Sequence, residues 1–424
     1  MRIALFSVVA LAALAAGAAA ADYNPRMHKP LWQYVDADDD ETAAKLLPKL
    51  LKKYEGKRKA PRLVRDLRKG RPYAKGLSST KTLTFRCPDG LSRQYTWHLP
   101  SKYSTKRPTG LLVFLHGAIS QPAPGGGAHE SRDIGKAVDP LNWIKLGPST
   151  FDRHEWGETA VRAHVRNAID QVKRRFNIDE NRIVIAGDSD GGRGTYALVE
   201  TEATLFAAAV PVIGSPGGVS RFLNLRGIPF LALNGAKDSL FKIDRVRQSV
   251  EQMKAAGISV DFREFADAGH DPFLFVKQGD DVRAFLKKHV RDPLPKIVEW
   301  QVDPQKEKDF PANTFRWIRI DETGETASKG KFDDFAGLIT NRFGRIRAIA
   351  EGNRVTVDTH RVKRFSILVS DAMFDLEKEI EVVVNGESAH KSVVGTDAKV
   401  VLEEVRRFND RHLVFSNRIT LEVK

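Results

Sequence analysis

Between residues 110 and 290 the chain alternates short apolar runs with longer amphipathic ones. LLVFL at 111–115, IVIA at 183–186, FAAAVPVI at 206–213, PFLAL at 229–233 and VDFREF at 260–265 have the length and residue types of strands. Residues 159–175, 243–256 and 281–290 have helical spacing. Continuous apolar strands are strands covered on both faces, so the pattern predicts a doubly wound α/β sheet over residues 77–292.

The flanks read differently. Residues 80–87 and 94–99 are rich in Thr, Phe, Tyr and Trp and are divided by Pro88-Asp89-Gly90, which predicts a hairpin. Residues 22–76 are polar, basic and helix-compatible. At 42–54, Leu46, Leu47, Leu50 and Leu51 share one face, while Pro48 argues against a single straight helix. This helical extension is expected to pack against the main domain. After Pro293-Leu294-Pro295 the alternation stops, and runs such as TFRWIRI, RIRAIA, NRVTV, FSILVS, IEVVVNG and NRITLEV follow, separated by Gly, Asn and Asp turns. They predict an all-β, sandwich-like domain over 296–424.

Composition narrows the setting. Residues 1–21, a basic start followed by an apolar run and small residues, read as a signal peptide, so the expected location is secreted or periplasmic. No other stretch has the apolar length of a membrane span. Cys87 is the single cysteine, which excludes an intramolecular disulfide, and its setting predicts a buried strand residue rather than a reactive thiol. The net charge of +14 is spread along the chain with clusters at 52–71 and 354–364, and no nucleic-acid motif accompanies it. A solvated basic surface is the expected reading, with no nucleic-acid partner.

The candidate chemistry centres on RIVIAGDSDGGRGT at 182–195. Gly-x-Ser-x-Gly alone is a weak signal. Here an apolar strand leads into it and helix-compatible residues follow, as in a nucleophile elbow, where glycines avoid a clash between strand and helix and the serine stands out alone. Ser189 as nucleophile then requires a base, an acid and an oxyanion hole. Asp238, in the turn after the strand at 229–233, is the expected acid, with Asp244 the alternative. His270, in the turn after the strand at 260–265, is the expected base. The backbone amides of Ala118 and Asp190 are the expected oxyanion donors, with Ile119 the alternative to Ala118, and His116 is expected to position that loop. The polar stretch 120–149, with Gly125-Gly126-Gly127, is expected to wall the cleft. Trp143 and Trp156 are candidates to stack on a sugar or aryl group, with local packing the competing reading. No cysteine or histidine cluster in the C-terminal region has metal-ligand spacing, and this chemistry requires no metal or organic cofactor.

With LLVFLHG, FNIDENRIVIAGDSDGG, the Asn-Gly-x-x-Asp turn and the Gly-His turn in view, residues from about 80 to 292 resemble the secreted α/β-hydrolase esterases, especially the polyhydroxybutyrate depolymerase and feruloyl or acetylxylan esterase branch. The resemblance implies Ser189, Asp238 and His270 as nucleophile, acid and base. It also implies cleavage of a small-molecule or polysaccharide-linked ester through an acyl-enzyme. Two departures stand out: aspartates flank Ser189 on both sides, and the disulfides frequent in that branch cannot form. An Asp190 carboxylate facing the cleft would disfavour anionic acyl groups and favour the imidazolium of His270. Competing readings are a serine peptidase of the prolyl oligopeptidase type, for which no propeller repeats are present, an interfacial lipase, which would carry a longer apolar lid, and a non-catalytic binding protein. The β domain is expected to bind a carbohydrate or cell surface, or to be purely structural.

Overall fold

A computed structural model describes residues 30–121, 126–217, 219–305, 311–324 and 342–423. The expected signal peptide at 1–21 and Gly125 lie outside the described residues.

The centre is an eight-stranded sheet. Its strands are β1 (Thr80–Arg86), β2 (Ser92–His98), β3 (Thr109–Leu115), β4 (Ile144–Pro148), β5 (Ile178–Asp188), β6 (Ala208–Val212), β7 (Phe230–Gly235) and β8 (Val260–Phe265), in the spatial order β1-β2-β4-β3-β5-β6-β7-β8. From β4 to β8 all neighbours are parallel, whereas β2 runs antiparallel to both of its neighbours, β1 and β4. The predicted hairpin is thus the antiparallel edge of the main sheet. This is the α/β-hydrolase fold.

Alternation along the central strands explains the double winding, because successive side chains point to opposite faces. Leu111, Val113, Ile183 and Ile185 belong to one buried cluster with Val161, Val165 and Ile169 of α5 (Thr159–Arg175) and Tyr196 and Val199 of α6 (Asp190–Glu202). Leu112, Phe114, Val184 and Ala186 belong to another with Phe275 of α8 (Leu274–Lys277) and Leu286 of α9 (Gly279–Lys288). Helix α7 (Ile243–Ala255) connects β7 to β8.

The stretch 120–149 departs from its expected role as a loop wall. It contains α4 (Gly126–Asp133), a 3-10 turn and the buried strand β4. Strand β4 was not legible as an apolar run because Lys145 and Gly147 interrupt it. Lys145 is accommodated by pairing with Asp139 at 2.7 Å.

The C-terminal region contains two sheets that pack on each other. One has the order β10-β11-β14-β17, formed by Thr314–Phe315, Ile318–Thr323, Val362–Val369 and Asn417–Glu422. The other has the order β16-β15-β13-β12-β9, formed by Glu387–Val393, Glu379–Val384, Arg354–His360, Gly344–Glu351 and Ile297–Val302. The β domain is not purely β: α10 (Ala398–Phe408) precedes β17, with Asp397 capping its first turn through the amides of Lys399 and Val400.

That helix receives the N-terminal extension. Helices α1 (Pro30–Val35), α2 (Asp40–Tyr54) and α3 (Ala60–Arg68) form a third apolar cluster with Val401, Leu402 and Val405 of α10. The α2 helix runs unbroken through Pro48. The expectation of docking on the main domain is therefore corrected: the apolar faces meet on α10, and the main domain contributes charges, Arg174 to Asp38 at 2.6 Å and to Asp36 at 3.8 Å.

The hydrolase part and the β domain share one continuous apolar cluster, running from Leu83 to Ile419. Polar groups at the seam are paired. The Asn224 amide both donates to the Gln301 carbonyl at 3.0 Å and accepts from the Gln301 amide at 2.8 Å, as a neighbouring strand would. Arg291 meets Asp410 at 2.7 Å, both almost fully buried. Burial raises the Asp410 carboxyl, but Arg291 and Lys173 overcome it, so the net direction is downward.

Candidate active site

Because β3 and β5 to β8 are parallel, their carboxyl ends lie along one edge of the sheet, where open α/β folds place their ligands. Ser189 follows β5, Asp238 lies three residues beyond β7 and His270 five residues beyond β8. The structure brings the three side chains into one chain of contacts. His270 Nε2 lies 3.0 Å from Ser189 Oγ, and His270 Nδ1 lies 2.9 Å from Asp238 Oδ2. The alternative acid, Asp244, instead pairs with Arg247 at 2.7 Å on an exposed surface.

Each of these side chains is held by its own turn. The Ser189 backbone sits at φ 55°, ψ −117°, a sparsely populated conformation for a residue with a Cβ. It persists because the surroundings over-determine it: the Ser189 amide donates to Val212 at 3.0 Å, and the Arg193 amide donates back to the Ser189 carbonyl at 3.0 Å. A Cβ on Gly187 would stand 2.5 Å from the Gly191 carbonyl oxygen, and one on Gly191 would strike the Leu115 carbonyl. The strand and helix of the elbow therefore approach more closely than any other residue allows.

The Asp238 side chain is fully buried. Its Oδ1 accepts from the amides of Leu240 and Phe241 at 2.8 and 2.9 Å, which leaves Oδ2 for the histidine. The His270 side chain is 24 % exposed, and Phe241 stacks on its ring with centroids 5.9 Å apart. The acid thus fixes the turn carrying the aromatic ring that lies against the base.

The loop after β3 is organised by His116. The Thr150 amide donates to His116 Nε2 at 3.1 Å, so the ring proton sits on Nδ1 and is donated to the Gly117 carbonyl at 2.6 Å. Trp156 is 1 % exposed, packs edge-on against the His116 ring and donates Nε1–H to the His116 carbonyl at 3.2 Å. Ala118, the expected oxyanion donor of this loop, sits at φ 52°. The Ile119 amide, the alternative donor, is instead taken up by the Asp190 carboxylate at 3.2 Å. Asp190 begins α6, where the first amides lack partners within the helix. Its own N–H and that of Ala118 remain the expected oxyanion donors.

The tryptophans are corrected. Trp143 is 6 % exposed, and its indole fills the space over Gly110, where even a Cβ would overlap it. Trp156 packs over Gly194 in the same way. Both serve packing, and neither lines the cleft. Sequence reasoning missed Phe241, although an aromatic three residues after the expected acid was a readable signal. Among the described residues no His, Cys, Asp and Glu cluster could hold a metal ion.

Residues 146–291 match the dienelactone hydrolase family, a stretch that runs from within β4 to just past α9 and contains Ser189, Asp238 and His270. A bifunctional acetylxylan esterase/xylanase of Neocallimastix patriciarum is 26% identical over 168 residues, which is 38% of this chain and 24% of that protein. The chain thus spans about a quarter of the length of this curated relative. Among solved structures, a thermostable esterase is 23% identical, with a TM-score of 0.43 over 50% of this chain and 64% of that one. A thermophilic esterase from the planctomycete Thermogutta terrifontis is 17% identical, with a TM-score of 0.41 over 50% of this chain and 92% of that one. The family match places this stretch with the hydrolases of the α/β-hydrolase fold, and the family it names differs from the branch that the motifs resemble.

Proposed function

We propose that the protein is an exported serine hydrolase that cleaves carboxylic esters. The observation that carries this reading is the Asp238–His270–Ser189 contact chain, with its two heavy-atom distances of 2.9 and 3.0 Å, mounted on a strained elbow. Ser189 Oγ attacks the ester carbonyl while its proton passes to His270 Nε2. The amides of Ala118 and Asp190 stabilise the oxyanion. The carbon–oxygen bond to the alcohol breaks, and the leaving oxygen takes the proton from the imidazolium. Water then attacks the acyl-enzyme, giving its proton to His270, and Ser189 leaves with that proton restored. Asp238 holds the ring with Nδ1 protonated throughout.

The substrate class proposed is a small-molecule or polysaccharide-linked ester of plant or polymer origin, supported by the motif resemblance and by the partial likeness to an acetylxylan esterase/xylanase. Neither a metal nor an organic cofactor takes part in this scheme, and nucleic acid is not a proposed partner. Among the described residues no helix is long and apolar enough to cross a membrane.

The test is hydrolysis of p-nitrophenyl acetate, butyrate and octanoate by the protein and by Ser189→Ala. Loss of turnover in a folded Ser189→Ala protein is the expected result. Equal rates in both would overturn the assignment, and a peptide substrate turned over in preference to all three esters would favour the peptidase reading.

A further inference from the structure

Six large apolar side chains are exposed among the described residues, and two of them follow the proposed acid and base within three residues of sequence. Leu240, two residues after Asp238, is the most exposed of the six at 69 %, and Phe273, three residues after His270, is the one aromatic among them at 49 %. Their turns follow the neighbouring parallel strands β7 and β8 and are bonded to each other through the Lys237 amide and the Ala268 carbonyl at 2.9 Å. Phe241 joins the turns by stacking on His270.

The turns are also fixed in shape. Asp238 Oδ1 holds the amides of Leu240 and Phe241, and Asp271 Oδ1 accepts from the Phe273 amide at 3.0 Å. Leu240 and Phe273 are thus presented to solvent by constrained backbone. Leaving such groups in water is unfavourable relative to burial, so an apolar ligand face covering them gains directly. A rigid platform gains more than a floppy one, because less order is lost on binding.

Mechanism decides which half of the ester lies there. His270 must return its proton to the leaving oxygen, so that oxygen has to come within reach of Nε2, on the histidine side of Ser189 and away from the Ala118 and Asp190 amides. We infer that Leu240, Phe241 and Phe273 form a recognition platform for the alcohol half of the ester, and that this half presents an apolar ring face. The inference rests on the esterase reading for its direction and extends it to the substrate class.

The test holds the acetyl group constant and compares benzyl acetate with methyl acetate, using wild type, the Leu240→Ser/Phe273→Ser double variant, and Val393→Ser, an exposed apolar residue on β16, as the control. The benzyl-to-methyl ratio of kcat/KM is expected to fall about tenfold in the double variant, within the 10- to 200-fold range that small apolar contacts contribute to specificity. It is expected to stay at the wild-type value in Val393→Ser. The methyl benzoate-to-methyl acetate ratio, which varies the acyl half, should not move. An unchanged benzyl ratio, or an equal fall in both ratios, overturns the proposal. A second readout needs no turnover: saturation-transfer NMR of benzyl alcohol on Ser189→Ala protein, with and without the two serine substitutions. Transfer that disappears with the platform supports the inference even if no ester is hydrolysed, in which case the esterase reading alone fails. Transfer that is absent, or that survives the substitutions, overturns it.

Discussion

The Asp190 carboxylate accepts a hydrogen bond from the Ile119 amide at 3.2 Å, joining the first turn of α6 to the loop after β3. One residue thereby offers its amide to the proposed oxyanion and uses its side chain to fix the loop that offers the other amide. The acidic flank of Ser189 thus has a positioning role. Asp190→Ala is expected to lower kcat for p-nitrophenyl acetate by about 10- to 100-fold, somewhat less than outright loss of an oxyanion donor. Asp190→Asn keeps an accepting oxygen and should recover most of that loss. Steady-state kinetics of the two variants checks this, and an Asn variant as slow as the Ala variant counts against the positioning role.

Gly191→Ala is expected to break the elbow, since the new methyl would strike the Leu115 carbonyl. Overpacking of this kind costs about 1–3 kcal/mol or more. Gly395, which has nothing within 4 Å of an added Cβ, is the matched control. The urea midpoint should fall for Gly191→Ala and hold for Gly395→Ala, and ester hydrolysis should follow the same order.

His164 makes stability depend on pH. It is buried between Phe85 and Tyr95, with Nε2–H donated to the Gln94 carbonyl at 3.0 Å. Burial pushes its pKa down from 6.5 to about 3. The unfolded chain therefore binds a proton that the folded one refuses, so this contribution is complete above pH 6.5 and is lost as pH falls toward 3. Thermal unfolding followed from pH 7 to pH 4 should show a smaller decline in Tm for His164→Gln than for the wild type.

Removing one partner of the Arg291–Asp410 pair leaves an uncompensated buried charge at the seam between the hydrolase part and the β domain. Asp410→Ala is expected to destabilise the whole chain by about 3–5 kcal/mol. Denaturant unfolding should remain a single transition at a lower midpoint. An unchanged midpoint, or a separate early transition confined to the β domain, would show that the seam is not a unit.

Much of this architecture was readable because it is written locally. The central strands announce themselves by unbroken apolar runs, and Ser189, Asp238 and His270 each sit in a turn that a glycine marks. The rest depended on context. Strand β4 is half made of residues that do not look buried, and Lys145 is tolerated there only because Asp139 answers it. Helix α10 had a legible pattern, with Asp397 as cap and Val401, Leu402, Val405 and Phe408 on one face, but its neighbours set an expectation of strands. Trp143 and Trp156 could have been surface or core by composition alone. Glycines 110 and 194, distant from them in sequence, decide the matter by making room for the rings.

The seating of α1 to α3 on α10 has a consequence for the order in which the protein matures. Residues 30–68 leave the ribosome more than three hundred residues before their apolar partner at 398–408 exists. Until then Leu50, Leu63 and Leu67 lack the α10 side of their cluster, and the interval is long enough to invite association with other chains. The finished arrangement closes one of the longest loops the chain can make, and such contacts form late and slowly. The α1 to α3 helices are therefore expected to seat as a late step, once α10 has formed.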